Sequence, residues 1–501
     1  MSDFHNSYKP FRNFLRNFEL YDSLEVCWHI ASHYSSGKKF PTNLEIPIKL
    51  KYNTDKTAEK LFLVNDWELE FLVSEVISYC TKRIYDKKKS FYNLKHRAKA
   101  VNYIRGFHDL VYKDTISDEK VFLELNRIAH QQFIWQPALR LANLYRYYII
   151  YTDDDLDKLI IKTFNLDYKK LIIIAFLLML QFNSKFKIKC NFQSNIDLVP
   201  TDSFKIFLDF FGTTLDHIKS LIDENRKYDE RLVYAFQPIR RFPIIIDDYY
   251  YCPIPTLLFW QTTKGIYYHL INKQGFDESF GRSFQNYLVK YITKVNTDGK
   301  IQYYPEKVYG NPEKRTADII LVDKESVLLI ECKTKRMLQE AKENLIDKSA
   351  IENDIKKISF AFQQLYKQVD EYKNNKYPHL KCDKTKKIFL MVVTLENWFL
   401  GFNPYLYDRL KDEIIIKLES IKKSKELIKE IPYFFFSAEE FEEVMQVINK
   451  HGIKYYCEKF NSEKGFDAFK SFEYKTIFQE EVDEIFHSLK SNSNEPLISN
   501  T

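Results

Sequence analysis

Asp318, Glu331 and Lys333 sit on two apolar runs, residues 316–322 and 327–333, joined by the turn-like Asp323-Lys324-Glu325-Ser326. A hairpin centred between Lys324 and Glu325 sets Asp318 directly opposite Glu331. Side chains alternate faces along a strand, so Lys333 shares the face of Glu331, while Ile319, Leu321, Leu328 and Ile330 take the other. Two carboxylates and an ammonium are thereby gathered at one end of an otherwise apolar hairpin.

Neighbouring carboxylates repel, and a cation or a raised pKa relieves the repulsion. Oxygen-only ligands suit Mg²⁺ or Mn²⁺, which keep several waters and bridge to phosphate oxygens. Such an ion makes water a better nucleophile, and a nearby Lys orients that water or stabilises developing negative charge. The chemistry implied is phosphodiester hydrolysis. Glu-x-Lys recurs at Glu340, Glu371 and Glu473, but in helical text that closes no hairpin on an Asp. A half-exposed hairpin with a surface ion pair is the plainer alternative. The apolar residues filling both strands weigh against it, because charges are rarely buried there without partners.

These residues must be positioned by the surrounding elements. Residues 277–295 form an amphipathic helix with Phe280, Phe284, Leu288, Ile292 and Val295 on one stripe, expected to pack on a sheet. Residues 300–309 are a candidate first strand. A helical pattern runs over 338–372, broken near Ser349, and KIFLMVVT at 387–394 is a fourth strand. Residues 432–436 are strand-like, and Ser437-Ala438-Glu439-Glu440 opens a helix with a capping box.

The text TADIILVDKESVLLIECKTK resembles the PD-(D/E)XK, or restriction-endonuclease-like, superfamily, with Ala317-Asp318 in place of Pro-Asp and Glu331-Cys332-Lys333 as the ExK element. The resemblance covers roughly the middle third of the chain. It implies an α/β nuclease core in the order αβββαβ, a mixed sheet flanked by helices, here preceded by a mainly helical N-terminal domain. It also implies Mg²⁺ or Mn²⁺ on Asp318 and Glu331. Similar families often carry an acidic residue on the first helix, where this chain departs with Phe284-Gln285. Glu278, two helical turns earlier and about 10 Å away by helix rise, is the expected third metal ligand, since at most one of the two can approach the ion. On the later helix Gln364 and Gln368 are one turn apart, and Gln368 with Tyr372 looks like the QxxxY element of RecB-like members. Gln364 is the favoured catalytic residue of that pair.

Cleavage of DNA is the leading expectation, in a setting of bacterial defence against phage or foreign DNA by superfamily analogy. Cleavage of RNA is the alternative enzymatic reading. A nuclease fold kept as a binding or assembly module is the non-enzymatic one, to which Gln285 gives weight. A protein partner or homo-oligomer is left open.

At 501 residues there is room for two or three domains, and 45% hydrophobic with 29% charged residues is globular composition. With 11 Gly and 15 Pro, turn-dense β architectures are disfavoured. A net charge of +6 permits nucleic-acid binding without arguing for it. Seven cysteines without a CxxC pair fit reduced thiols in a cytosol, and the N-terminal MSDFHNSYKPFRNF lacks the layout of a secretory signal. The most hydrophobic run, residues 171–180, reads as a buried helix because a membrane span needs about 20 residues.

Residues 1–264 are expected as a mainly helical recognition or regulatory domain. Residues 265–501 would hold the nuclease domain, its core about 277–396, with a C-terminal α/β extension. Asp153 to Asp155 read as a helix cap, FPIIIDDYYYCPIP at 242–255 as two short strands, and the last residues as a frayed tail. HIASH lacks the Glu of a zinc HExxH motif, so His29 and His33 are set aside. Arg240-Arg241, the basic residues 384–387 and the Tyr-rich stretches are read as solvated charge and packing. The sequence contains no Walker-type phosphate loop.

Overall fold

A computed structural model describes residues 3–44, 64–82, 89–112, 118–132, 141–194, 199–226, 232–338, 341–342, 348–400, 403–462, 474–475, 477–487 and 498–500. The fold is mixed α/β, with helices in the majority and a mixed five-stranded sheet in the second half.

The first half is helical as its periodicity implies, with helices such as Leu20–Ser36, Asp66–Tyr79 and Tyr168–Ser184. Asp153 caps the helix Asp154–Phe164 by accepting from the Asp155 amide, so the acidic run satisfies a helix start. Residues 171–180 lie inside the Tyr168–Ser184 helix, and all of them but Phe176 and Leu180 are buried. Among the described residues no helix is long and apolar enough to cross a membrane. Ile244–Ile246 and Tyr249–Tyr251 pair antiparallel around Asp247-Asp248, and two further short strands complete a small sheet.

The second half presents α1 (Phe276–Val295), β1 (Gln302–Pro305), β2 (Ile319–Val322), β3 (Ser326–Lys333), α2 (Ser349–Lys373), β4 (Lys387–Thr394), α3 (Pro404–Ser420), β5 (Tyr433–Ser437) and α4 (Ala438–His451). Strand order is β5-β4-β3-β2-β1, with β3, β4 and β5 parallel and the β1-β2-β3 meander antiparallel. The order α, β, β, β, α, β is therefore present from α1 to β4. Val322 pairs with Val327 and Ile319 with Ile330, the register expected of the hairpin. The Ser437 capping box is formed, its hydroxyl accepting from the Glu440 amide while the Glu440 carboxylate accepts from the Ser437 amide.

Both faces of this sheet are covered, as its parallel half requires. Ile319, Leu321, Leu328 and Ile330 pack with Phe280, Phe284, Leu288 and Ile292 of α1. Ile320, Val322, Val327 and Leu329 pack with Ile355, Phe362 and Leu365 of α2 and Leu406 of α3. The first of these cores does not stop at the middle of the chain: Ile150, Leu171, Leu178 and Phe207 belong to it as well. A separate core holds the N-terminal helices, among them Phe11, Leu24 and Phe71.

The end of the chain is not a frayed tail throughout. Ile498–Asn500 pairs antiparallel with Phe192–Ser194, a contact between distant segments that a polar composition does not reveal. Glu340, Glu473, much of the 338–348 stretch and most of 491–501 lie outside the described residues.

Candidate active site

The site lies where β2 begins and β3 ends. One step beyond the Ile319 and Ile330 pair, Asp318 falls opposite Glu331, and the Cys332 amide donates to Asp318 Oδ2 at 2.7 Å. Lys333 Nζ lies 2.9 Å from Glu331 Oε2. The Glu331 side chain is 7% exposed and that of Lys333 31%, so this is not a surface ion pair. Strand alternation turns all three toward the face on which α2 packs.

A fourth charged group joins them. Pro305 pairs with Ile319, and one step further the register sets Glu306 beside Asp318, giving a row of carboxylates across β1, β2 and β3. Glu306 is partly buried and holds Arg315 at 3.5 Å. Counting from the first strand could have found it, but the short hairpin of Val308–Tyr309 with Lys314–Arg315 interrupts the count.

Electrostatics follow from the crowding. Burial raises the Glu331 carboxyl to about 7, and the Asp318 charge adds to the rise against the lowering by Lys333. Burial likewise raises Asp318, opposed by the Cys332 amide and Lys333. Glu306 is raised by burial and then by Asp318. Burial alone would lower the Lys333 ammonium, but the charge and hydrogen bond of Glu331 outweigh it and the pKa is raised.

Two residues expected in the site, Glu278 and Gln364, are exposed side chains. Glu278 is exposed on the first turn of α1, and it is Gln285, seven residues on, whose Nε2 donates to the Asp318 carbonyl at 2.9 Å. The helix can present only one of these positions to β2, because they are about 10 Å apart along its axis. Gln364 is also exposed. Its neighbour one turn on, Gln368, donates to the Arg315 carbonyl at 2.7 Å and accepts from the Tyr377 hydroxyl at 2.8 Å. Tyr372, the other half of QxxxY, is buried, and its hydroxyl accepts from the Asp383 amide.

The residues set aside are otherwise engaged. His33 Nδ1 meets the Lys38 carbonyl, and Arg240 pairs with the buried Glu70 at 2.6 Å. Tyr145, Tyr147, Tyr151 and Tyr251 are buried.

Among the described residues no three of His, Cys, Asp or Glu converge closely enough to encage an ion by themselves. The donor chemistry nevertheless fits Mg²⁺ or Mn²⁺, which take carboxylate oxygens and keep much of their shell as water. Asp318 and Glu331 would hold it. When bound, such an ion activates water and neutralises phosphate charge. The chain itself supplies two anchored carboxylates and, in Lys333, a cation able to donate to a phosphate oxygen.

No protein-family model matches this chain, and neither the curated proteins nor the solved structures contain a match to it.

Proposed function

We propose that this chain is a metal-dependent nuclease that hydrolyses phosphodiester bonds, with DNA as the favoured substrate. The reading rests on one observation above the others: the register that places Asp318 and Glu331 side by side, with Lys333 on the same face, at the ends of two strands that are otherwise largely apolar. Apolar strands do not accumulate buried charge for stability, since paired burial of ions returns little over a hydrophobic equivalent. A functional reason accounts for it better. The order of elements from α1 to β4, which agrees with the PD-(D/E)XK arrangement, adds support.

In this reading Asp318 and Glu331 bind the ion. The Cys332 amide holds Asp318, Gln285 holds its carbonyl, and Lys333 stabilises charge on the phosphate. Gln285 also favours a second reading, a nuclease fold retained for binding, because a carboxamide adds no charge where similar families place an acid. Incubation of the full chain with plasmid, single-stranded DNA and RNA, each with Mg²⁺, with Mn²⁺ and with EDTA, decides between them. Metal-dependent cleavage lost in EDTA and in Glu331→Gln is the expected result. Binding without cleavage under every condition would establish the second reading.

A further inference from the structure

A second cluster of buried charge lies just past the ends of β3 and β4. Arg336 follows Lys333 by three residues, so their Cα atoms are at most about 11 Å apart. Glu396 follows β4, whose Thr394 is the register partner of Lys333. The Arg336 side chain is 4% exposed, and its Nη1 meets Glu396 at 3.1 Å and the Lys264 carbonyl at 3.1 Å. The guanidinium lies 3.8 Å over the ring of Tyr267. Lys342 reaches the other Glu396 oxygen at 3.7 Å. Lys264 belongs to a π-helical turn, Gln261–Gly265, set between two short helices. Such insertions recur at functional sites because they turn side chains away from ordinary helical positions.

Two features of this cluster call for a ligand. Among the described residues, the buried Nε and Nη2 of Arg336 and the buried hydroxyls of Tyr147 and Tyr151 have no hydrogen-bond partner. Both hydroxyls lie within electrostatic reach of Arg336 and Glu396. Leaving such donors unsatisfied is costly. The second is charge: among the described residues Arg146, Lys264, Arg336 and Lys342 gather around Glu396, Glu439 and Glu442, although burial lowers the Lys264 pKa. A group with one or more negative charges and several acceptor oxygens meets both demands, and a planar guanidinium fork suits phosphate.

We propose that Arg336, Lys264 and Lys342, with the Tyr147 and Tyr151 hydroxyls, form a binding site for a phosphate group past the ends of β3 and β4. Arg336, Tyr147 and Tyr151 are all buried, a setting that suits a single phosphate group better than a continuous strand. The phosphate is therefore terminal, carried either by the end of a nucleic-acid strand or by a free phosphorylated small molecule. Only the first source rests on the nuclease reading.

The test is titration of the full chain with inorganic phosphate in EDTA, read by thermal melting and calorimetry against sodium chloride of equal ionic strength. At about ten times Kd the parent should melt roughly 1 to 2 °C higher. The gain should be lost in Arg336→Gln and reduced in Lys264→Met and in Tyr151→Phe, the last two being retained in case the Arg336 variant fails to fold. No gain over chloride in the parent, or an equal gain in all three variants, overturns the site. Single-stranded oligonucleotides with 5′-phosphate, 3′-phosphate or unmodified ends then identify the source. Binding at least tenfold tighter for one phosphorylated end supports the strand end, and equal binding of all three overturns it in favour of the small molecule. Cleavage is not measured, so these results stand whether or not the nuclease reading does.

Discussion

The Cys332 amide donates to the Asp318 carboxylate at 2.7 Å, so a side chain at the start of β2 is fixed by the backbone of β3. The contact reconciles two demands on Asp318. It orients an anion that burial would otherwise discourage, and it ties the carboxylate to the strand that carries Glu331 and Lys333.

Asp318→Asn keeps an oxygen to accept that hydrogen bond while removing charge. The variant should therefore fold, and without metal melt at or above the parent temperature because repulsion with Glu331 is relieved. Cleavage should fall by roughly 10³-fold or more. Melting and single-turnover rates measured on the same preparation check this. A large drop in melting temperature, with activity lost only in proportion to folded protein, would make Asp318 a structural residue.

Glu331 gives stability a pH dependence whose sign is fixed. Its folded pKa of about 7 lies above the ordinary carboxylate value of 4.5, so the folded chain binds more protons between those limits. The contribution is complete below about 4.5 and is lost as pH rises through 7. Glu440, also raised to about 7 by burial, titrates in the same window. The quantity to measure is therefore the difference between parent and Glu331→Gln in metal-free denaturant melts from pH 4.5 to 8. The variant should gain on the parent as pH rises, and a flat difference contradicts the assignment.

Removing Lys333 leaves the Glu331 carboxylate without its 2.9 Å partner. Lys333→Ala should lose cleavage and be destabilised by about 1 to 3 kcal/mol at pH 8, the cost of an unsatisfied buried group. At pH 5 the loss should shrink, since a protonated Glu331 has no charge to leave uncompensated. Its metal affinity should fall less than that of the Asp318 and Glu331 variants.

On the opposite face Ile330 is fully buried in the core shared with α1. Ile330→Ala should cost roughly 2 to 5 kcal/mol. Its activity, corrected for folded fraction, should stay near that of the parent.

Gln285 and Glu278 separate positioning from ligation. Gln285→Ala removes one hydrogen bond to the β2 backbone, worth about 1 kcal/mol, and should slow cleavage by up to about tenfold. Glu278→Ala should leave the rate and the metal dependence unchanged. Loss of metal affinity on changing Glu278 alone would restore it as a ligand.

The parts of this structure legible in the sequence are those set by local rules. The β2-β3 register follows from a short turn between strands with strict alternation, and the Lys387–Thr394 strand follows from an unbroken apolar run. The Ser437 helix start needs only residues one turn apart. What the sequence leaves open depends on tertiary placement. Periodicity puts Glu278 and Gln285 on one face of α1, yet only the seating of the helix on the sheet decides which of them meets Asp318. Gln364 and Gln368 pose the same problem on α2. Glu306 joins the row through a strand pairing across an interrupted loop, and Ile498–Asn500 finds its partner across most of the chain.

The core that joins Leu171 and Phe207 to Ile319 and Met391 bears on inheritance and on engineering alike. A fragment beginning near residue 265 would expose the apolar surface that those helices cover, and would have to be re-covered before it could stand alone. The half that carries Asp318 and Glu331 is thus not a cassette to be exchanged between proteins. Since that core takes in helices from both halves, a ligand that stabilises the sheet should also delay the melting of the helices packed on it, Tyr168–Ser184 among them.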